Sequence, residues 1–202
     1  GVSLMKSSFC IDLQRFMLIP TKFPLIHSFL WLADAGVALP VYNVEEPRLP
    51  LKLGEQRNLF KLFLSDVGLL ASQYAANIAI EILTGDAKIN YGAIYENFAA
   101  QELRAHGYNL YYFNNKKQGE LDFVVENKDS ILPIEIKSGK DYKRHNALSN
   151  VILNDEYNIS EAIVFSNGNI ESEGKILYMP IYMLMYLQPE EIADPIFKFK
   201  PI

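Results

Sequence analysis

Hydrophobic positions follow the helical period in some segments of the chain and the strand period in others. In the first part, they predict a helix over residues 25–35 and strands over residues 37–44 and 59–64. Residues 45–55 contain two prolines, a glycine and charges of both signs, and are predicted to form a loop. A single helix over residues 69–83 is expected to follow.

The second part of the chain predicts the order helix, three strands, helix, strand. Its first helix ends at Gly107, in keeping with the preference for glycine after helix C-termini. The predicted elements are a helix over residues 93–106, strands over 108–113, 120–126 and 131–137, a helix over 144–153 and a strand over 162–165. A strand over residues 175–178 and a last helix over residues 180–187 are predicted to complete the pattern.

Composition indicates a globular protein with a core of its own. The chain has 202 residues, of which 50% are hydrophobic and 21% charged. Its 24 acidic residues exceed its 19 lysines and arginines, which argues against a generally basic nucleic-acid-binding surface but leaves room for a local basic track. The single cysteine, Cys10, excludes an internal disulfide and a multi-cysteine zinc site, and fits a reducing cytoplasm.

Several familiar sites and segments are missing from the sequence. No apolar run approaches the roughly 18 residues of a membrane-spanning helix, so no contact with a membrane is expected. The first residues do not resemble a secretory signal. The pairs Gly139-Lys140 and Gly174-Lys175 lack the earlier glycine and the following hydroxyl of a phosphate-binding loop. No ATP site is therefore expected in this sequence.

The candidate chemistry begins with a Glu-x-Lys spacing in a predicted strand. Alternation along that strand places Glu135 and Lys137 on one face, with Ile134 and Ile136 on the other. The same spacing occurs at residues 126–128 and 173–175. Only Glu135 and Lys137 lie inside an apolar strand pattern that follows a strand with an acid of its own.

The preceding strand supplies that acid, Asp122. One face of this strand is predicted to carry Glu120, Asp122 and Val124, and the opposite face Leu121, Phe123 and Val125. If the two strands pair as a hairpin, Asp122 and Glu135 converge at a sheet edge, and two carboxylates with open water positions suit Mg²⁺ or Mn²⁺. A lysine beside them can orient or deprotonate a water. A solvated hairpin face with a cross-strand ion pair explains the same pattern without chemistry.

Five short segments of the sequence resemble, in their residues and in their order, those of a known family. They lie at residues 31–36, 63–70, 92–98, 119–124 and 133–139. The sequence resembles the PD-(D/E)XK nuclease superfamily and, more narrowly, the DUF4143 domain found after an AAA+ ATPase module in proteins of the "predicted ATPase" type. The resemblance covers roughly residues 27–187.

The resemblance implies an α/β fold, with a restriction-endonuclease-like mixed sheet flanked by helices, and hydrolysis of nucleic-acid phosphodiesters. It implies that Asp122 and Glu135 hold Mg²⁺ or Mn²⁺, that Glu96 supports the metal, and that Lys137 positions the attacking water. Leu121 stands where the superfamily pattern has proline, a difference that does not touch the ligands.

The resemblance also implies a division of the chain and a set of partners. Residues 1–26 are interpreted as a linker or cloning remnant, 27–84 as a junction that admits a winged-helix-like piece, 85–190 as the nuclease-like domain and 191–202 as a tail. The expected partners are nucleic acid and the AAA+ ATPase module of a longer cytoplasmic chain. Candidate phosphate contacts near the site are Lys116, Lys117, Lys140, Lys143 and Arg144.

Two functions remain open on the sequence alone. The first is a metal-dependent nuclease domain that works with an ATPase motor. The second is a non-catalytic module that binds nucleic acid or regulates or assembles the ATPase, which the acidic net charge of −5 favours. A small-molecule enzyme ranks third, because no cofactor loop or nucleophile motif supports it.

Overall fold

A mixed sheet of nine strands forms the centre of the part of the chain that the structure describes. The structure is a computed structural model that describes residues 9–12, 25–85 and 91–189. The strands are β1 (Phe9–Asp12), β2 (Ala38–Val44), β3 (Glu55–Leu64), β4 (Tyr111–Asn115), β5 (Gly119–Asn127), β6 (Ser130–Ile136), β7 (Ala162–Ser166), β8 (Glu171–Glu173) and β9 (Ile176–Pro180). The helices are α1 (Leu25–Asp34), α2 (Val67–Ser72), α3 (Ala76–Thr84), α4 (Gly92–Ala105) and α5 (Asn146–Ile152), with 3₁₀ turns at Leu51–Gly54, Asp155–Tyr157 and Ile181–Tyr186.

The strands follow the order β1-β3-β2-β4-β5-β6-β7-β9-β8 across the sheet. The pairs β2/β4, β6/β7 and β7/β9 are parallel, and the other neighbours are antiparallel. The succession α4-β4-β5-β6-α5-β7 confirms the predicted order of the second part of the chain. The expected α/β fold, a mixed sheet flanked by helices, is therefore confirmed.

The sheet continues across the predicted division at residues 84 and 85. Strand β2 pairs with β3 on one side and with β4 on the other, so the predicted junction supplies strands to the same sheet as the predicted nuclease-like domain. The division itself stays a prediction. The predicted tail, 191–202, and most of the predicted linker, 1–26, lie outside the described residues.

Two hydrophobic cores lie on opposite faces of the sheet. In the first core, Leu103 of α4 packs with Phe63, Phe123, Ile134 and other apolar strand residues. In the second core, α5 contributes Leu148 and Val151. These two residues pack with apolar strand residues, among them Phe113, Leu121, Val124, Val164 and Tyr178. Burial of these apolar faces is the main force that stacks helices on both sides of the sheet. No helix in the described ranges is long and apolar enough to cross a membrane.

Several predicted elements differ from the observed ones. The helix predicted over residues 69–83 is two helices, because the backbone N–H groups of Gln73 and Tyr74 bond three residues back and end α2. Strand β3 begins at Glu55, earlier than predicted, since the polar residues Gln56 and Asn43 pair across β2 and β3 through a side-chain hydrogen bond of 2.7 Å. The last predicted helix is a 3₁₀ turn, and β1 and β8 were not predicted.

Strand β5 contains a bulge that corrects the predicted faces of this strand. Phe113 of β4 lies opposite Leu121, whereas Tyr111, two residues back on β4, lies opposite Val124, three residues on along β5. The extra residue reverses the alternation at this point. Leu121 and Val124 therefore share the second core, while Phe123 packs in the first. The prediction that Leu121 and Phe123 share a face was wrong.

The start of β5 approaches α5 closely, and a glycine makes this approach possible. Gly119 has a φ of +100°, and a Cβ atom placed on it would lie 2.8 Å from the Cβ of Ala147. The same contact region is held by the side-chain amide of Asn150, which donates to the carbonyl of Gln118 at 3.1 Å. The turn before β5 is therefore fixed against the helix after β6.

Candidate active site

Asp122 and Glu135 meet where the β5–β6 hairpin ends. The hairpin pairs Phe123 with Ile134, and beyond this pair Asp122 Oδ2 accepts a hydrogen bond from the Ile136 N–H at 2.8 Å. The predicted hairpin and the proximity of the two acids are thus confirmed. Because β4 and β7 flank the hairpin, the acids lie in the middle of the sheet, not at the sheet edge that the sequence predicted: Asp122 is within β5, and Glu135 is the last residue but one of β6.

Glu135 is a buried carboxylic acid with one free oxygen. Its side chain is 6% exposed, and Lys137 Nζ lies 2.6 Å from Oε1. Within the described part of the chain, Oε2 is buried and has no hydrogen-bond partner. Burial and the negative charge of Asp122 raise the pKa of Glu135 to about 8. Burial likewise raises the pKa of Asp122. The pair therefore retains a proton at neutral pH unless another cation joins it.

Lys137 follows the last residue of β6 and is anchored to the next strand. Its backbone N–H donates to the carbonyl of Phe165 at 2.8 Å. Burial alone would lower the pKa of its ammonium, but the carboxylates of Glu135, Asp122 and Glu96 outweigh burial and raise that pKa. Lys137 is accordingly a hydrogen-bond donor in this arrangement. Of its two predicted uses, orienting a water is the one that this protonation state allows.

A second lysine, which the sequence analysis missed, lies on the other side of Asp122. Lys61 of β3 is fully buried, and its Nζ lies 2.8 Å from Glu120 Oε1 and 4.0 Å from Asp122 Oδ1. The same Nζ is 5.2 Å from the centre of the Tyr112 ring. Glu120 is itself held by the side-chain amide of Asn114, which donates to Oε2 at 2.8 Å. The lysine therefore has a fixed place between two carboxylates and an aromatic ring.

Helix α4 brings the fourth acid. Glu96 is buried, and its charge raises the pKa of both Lys61 and Lys137. The next residue, Asn97, fixes the helix to the end of β3, because its side chain accepts from the Leu64 N–H at 2.8 Å and donates to the Leu64 carbonyl at 2.9 Å. With all groups ionised, four carboxylates face two ammonium groups, which leaves a negative excess at the site.

The donor set fits a divalent cation held by two protein carboxylates. Asp122 and Glu135 would supply the oxygens, and the unpartnered Oε2 of Glu135 is the observation that favours such a ligand. Mg²⁺ is commonly bound by one or two carboxylates, with waters and phosphate completing its shell. Among residues 9–12, 25–85 and 91–189, no three acidic, histidine or cysteine side chains form a metal-binding group. The predicted third ligand, Glu96, stays a prediction.

Comparison with known proteins finds one family model that matches the second part of the chain. Residues 91–184 match the family described as "Domain of unknown function (DUF4143)". The match covers 94 of the 202 residues. No curated protein and no solved structure matches the chain. The matched residues include Glu96, Asp122, Glu135 and Lys137, whereas Lys61 precedes the match in the sequence.

The predicted phosphate contacts form an exposed rim around α5. Lys116 and Lys117 lie in the turn before β5, and Lys140, Lys143 and Arg144 lie between β6 and α5. All five side chains belong to exposed residues. Lys143 differs from the others because its Nζ pairs with Glu171 at 2.8 Å. This pairing makes Lys143 the weakest of the five candidates.

A groove outside the acid site has a volume of about 320 Å³. It lies between the end of α1, strand β2 and the end of α4, and its polar lining includes Asp34, Lys52, Glu55 and Arg104. Neither the four acids of the site nor Lys61 and Lys137 line it. Lys52 and Glu55 are already paired at 2.6 Å, so the groove adds nothing to the acid site.

Proposed function

We propose that the protein hydrolyses phosphodiester bonds of nucleic acid with the aid of Mg²⁺ or Mn²⁺. The observation that carries this proposal is the pair formed by the partly buried Asp122 and the buried Glu135, with Lys137 Nζ bound to Glu135. Two adjacent acids and one ammonium group on neighbouring central strands are the groups that such chemistry requires. The resemblance to PD-(D/E)XK nucleases supports the same reaction.

Each side chain has a separate task in this proposal. Asp122 and Glu135 hold the cation, and Glu96 supports the arrangement from α4. The chemistry that Mg²⁺ or Mn²⁺ supplies at such a site is polarisation of the phosphate and activation of water. Lys137, held in its ammonium form by the surrounding carboxylates, donates a hydrogen bond that orients the attacking water or a phosphate oxygen.

Nucleic acid would approach across the basic rim. Lys116, Lys117, Lys140 and Arg144 are exposed on the rim around α5, and the first two directly precede the strand that carries Asp122. Contacts of this kind attract the phosphate backbone and position it without reading sequence. The overall acidic charge of −5 confines the attraction to this local region.

Calorimetric titration with Mn²⁺ tests the site directly. The Asp122→Asn variant should lose binding, because the amide removes one of the two anionic ligands while keeping an acceptor for the Ile136 N–H. Asp129→Asn, an exposed acid in the turn of the same hairpin, is the matched control and should bind as the unchanged protein does. Cleavage of single-stranded and duplex DNA and RNA should require Mn²⁺ and disappear in Lys137→Ala. Intact binding in Asp122→Asn would place the metal elsewhere and overturn the proposal.

A non-catalytic module is the second candidate, and the internal lysines favour it. Lys61 and Lys137 compensate part of the acidic charge, so the cluster has counter-ions of its own besides any bound metal. This candidate predicts that Asp122→Asn and Lys137→Ala leave nucleic-acid affinity unchanged and that no nucleic acid is cleaved. Charge reversal at Lys116 and Lys117 would still weaken binding.

For the partner and the compartment, the proposal follows the resemblance. The protein would work beside an AAA+ ATPase module in the cytoplasm, with that module supplying the ATP site that this sequence lacks. Co-purification of the domain with the ATPase module, and a change in ATP turnover when nucleic acid is added, would test this partnership.

A further inference from the structure

Lys61 occupies a position that is unusual for a lysine. Its side chain is 1% exposed, so it cannot reach a substrate that arrives from solvent. Lysine is rarely buried to this extent unless its charge is paired. The pairing here is with Glu120 at 2.8 Å, and Asp122 follows at 4.0 Å. The buried ammonium is therefore a fixed positive charge beside one of the two acids of the site.

This fixed charge acts on the same carboxylates as a divalent cation would. The carboxylates of Glu120 and Asp122, at 2.8 Å and 4.0 Å from Nζ, balance the buried ammonium charge of Lys61. Charges a few ångströms apart interact strongly when water is excluded. A divalent cation bound to Asp122 and Glu135 would be attracted by these carboxylates and repelled by the ammonium group of Lys61. The affinity of the acid pair for the cation must then depend on this lysine.

We infer that Lys61 is a positioning residue that acts as the internal counter-ion of the acid site and weakens its affinity for free divalent cations. This inference rests on the proposed function, because it assumes that Asp122 and Glu135 hold the cation. It assigns a role at the site to β3, which precedes the DUF4143 match.

The test compares Mn²⁺ affinity, measured calorimetrically, across a set of charge variants. Lys61→Met keeps much of the volume and removes the charge, and should bind Mn²⁺ about tenfold more tightly or better. Lys61→Met combined with Glu120→Gln removes both members of the ion pair and leaves the net charge unchanged, so its affinity should return towards that of the unchanged protein. Lys52→Met removes a lysine from an exposed ion pair with Glu55 and should leave the affinity unaltered.

The outcomes separate this inference from the proposed function. Equal Mn²⁺ affinities in the unchanged protein and Lys61→Met would overturn the role of Lys61 and leave the metal site standing. Absence of Mn²⁺ binding in every variant would overturn both. If Lys61→Met fails to fold, the paired variant decides: a loss of affinity there, in a folded protein, would mean that Lys61 is purely structural and would overturn the inference.

Discussion

Glu135 makes the stability of the metal-free protein depend on pH. In the folded protein its pKa is raised from 4.5 to about 8, first by burial and then by the charge of Asp122. The folded state therefore binds a proton that the unfolded chain has already released. The stability that this proton contributes is complete below about pH 4.5 and is lost as the pH rises to about 8.

Glu135→Gln should remove this pH dependence. The amide keeps the shape of the side chain and cannot ionise, so the free energy of unfolding of the variant should lose the contribution of this proton over this window. Near the upper end of the window it should exceed that of the unchanged protein by on the order of a few kcal/mol. Urea unfolding in the presence of a chelator measures the difference, and Glu161→Gln, at an exposed position, is the control. Parallel pH profiles for the two proteins would contradict the assigned environment.

Among the site residues, the sequence predicted the proximity of Asp122 and Glu135 but did not predict Lys61 as their counter-ion. Glu135, Lys137 and Asp122 belong to two neighbouring strands of a hairpin, so local alternation was enough to bring them together. Lys61 reaches the site through a strand order that places β3 two strands away from β4, which no local pattern specifies. One signal was present: Lys61 is a charged residue in the middle of the apolar run at residues 59–64.

Among the elements, the junction of β5 and α5 is the most sensitive to substitution. Gly119 combines a φ that side chains disfavour with a contact that a Cβ atom would make too short. Gly139, in the loop after β6, has nothing within 4 Å of its Cβ position. Glycine is therefore required by the structure at position 119, whereas position 139 has room for a side chain.

Gly119→Ala should destabilise the protein by roughly 2–4 kcal/mol, because it adds both backbone strain and a clash with Ala147. Gly139→Ala should change the free energy of unfolding by less than about 0.5 kcal/mol. Urea midpoints for the two variants provide the comparison. Equal midpoints would show that the start of β5 can move away from α5 without cost.

Element boundaries were predicted well where the pattern was strong and poorly where tertiary contacts decide. Helix α4 and strands β5 and β6 lie close to their predicted ranges because their apolar periods are long and regular. The bulge in β5 was invisible, since an extra residue leaves no mark on composition. The break between α2 and α3 was also invisible, because no proline or glycine occupies residues 73–75.

For the whole molecule, the sheet is the unit of stability. Strands β2 and β3 cover the edge of β4 and contribute Val41 and Phe63 to the first core. A chain limited to the predicted domain, residues 85–190, would expose that edge and those contacts. Unpaired edges with apolar neighbours promote aggregation.

The fragment 85–190 should therefore fail to fold alone, whereas the full chain should unfold in one cooperative transition. Circular dichroism and size-exclusion chromatography of both proteins measure this. A monomeric fragment with a sharp thermal transition would contradict the expectation and would favour the predicted division at residue 85.

The outermost strand at the far side of the sheet has a consequence for colloidal behaviour. Strand β8 is only three residues long, and its sequence, Glu171-Ser172-Glu173, is exposed throughout. A strand of another molecule could form only a few hydrogen bonds with β8 and would meet the negative charges of Glu171 and Glu173 instead of a long apolar edge. The same strand contacts the rim through the pair of Glu171 with Lys143. Salt screens the charges of Glu171 and Lys143. Raising the salt concentration would therefore weaken this ion pair and, at the same time, reduce the repulsion that opposes self-association through β8.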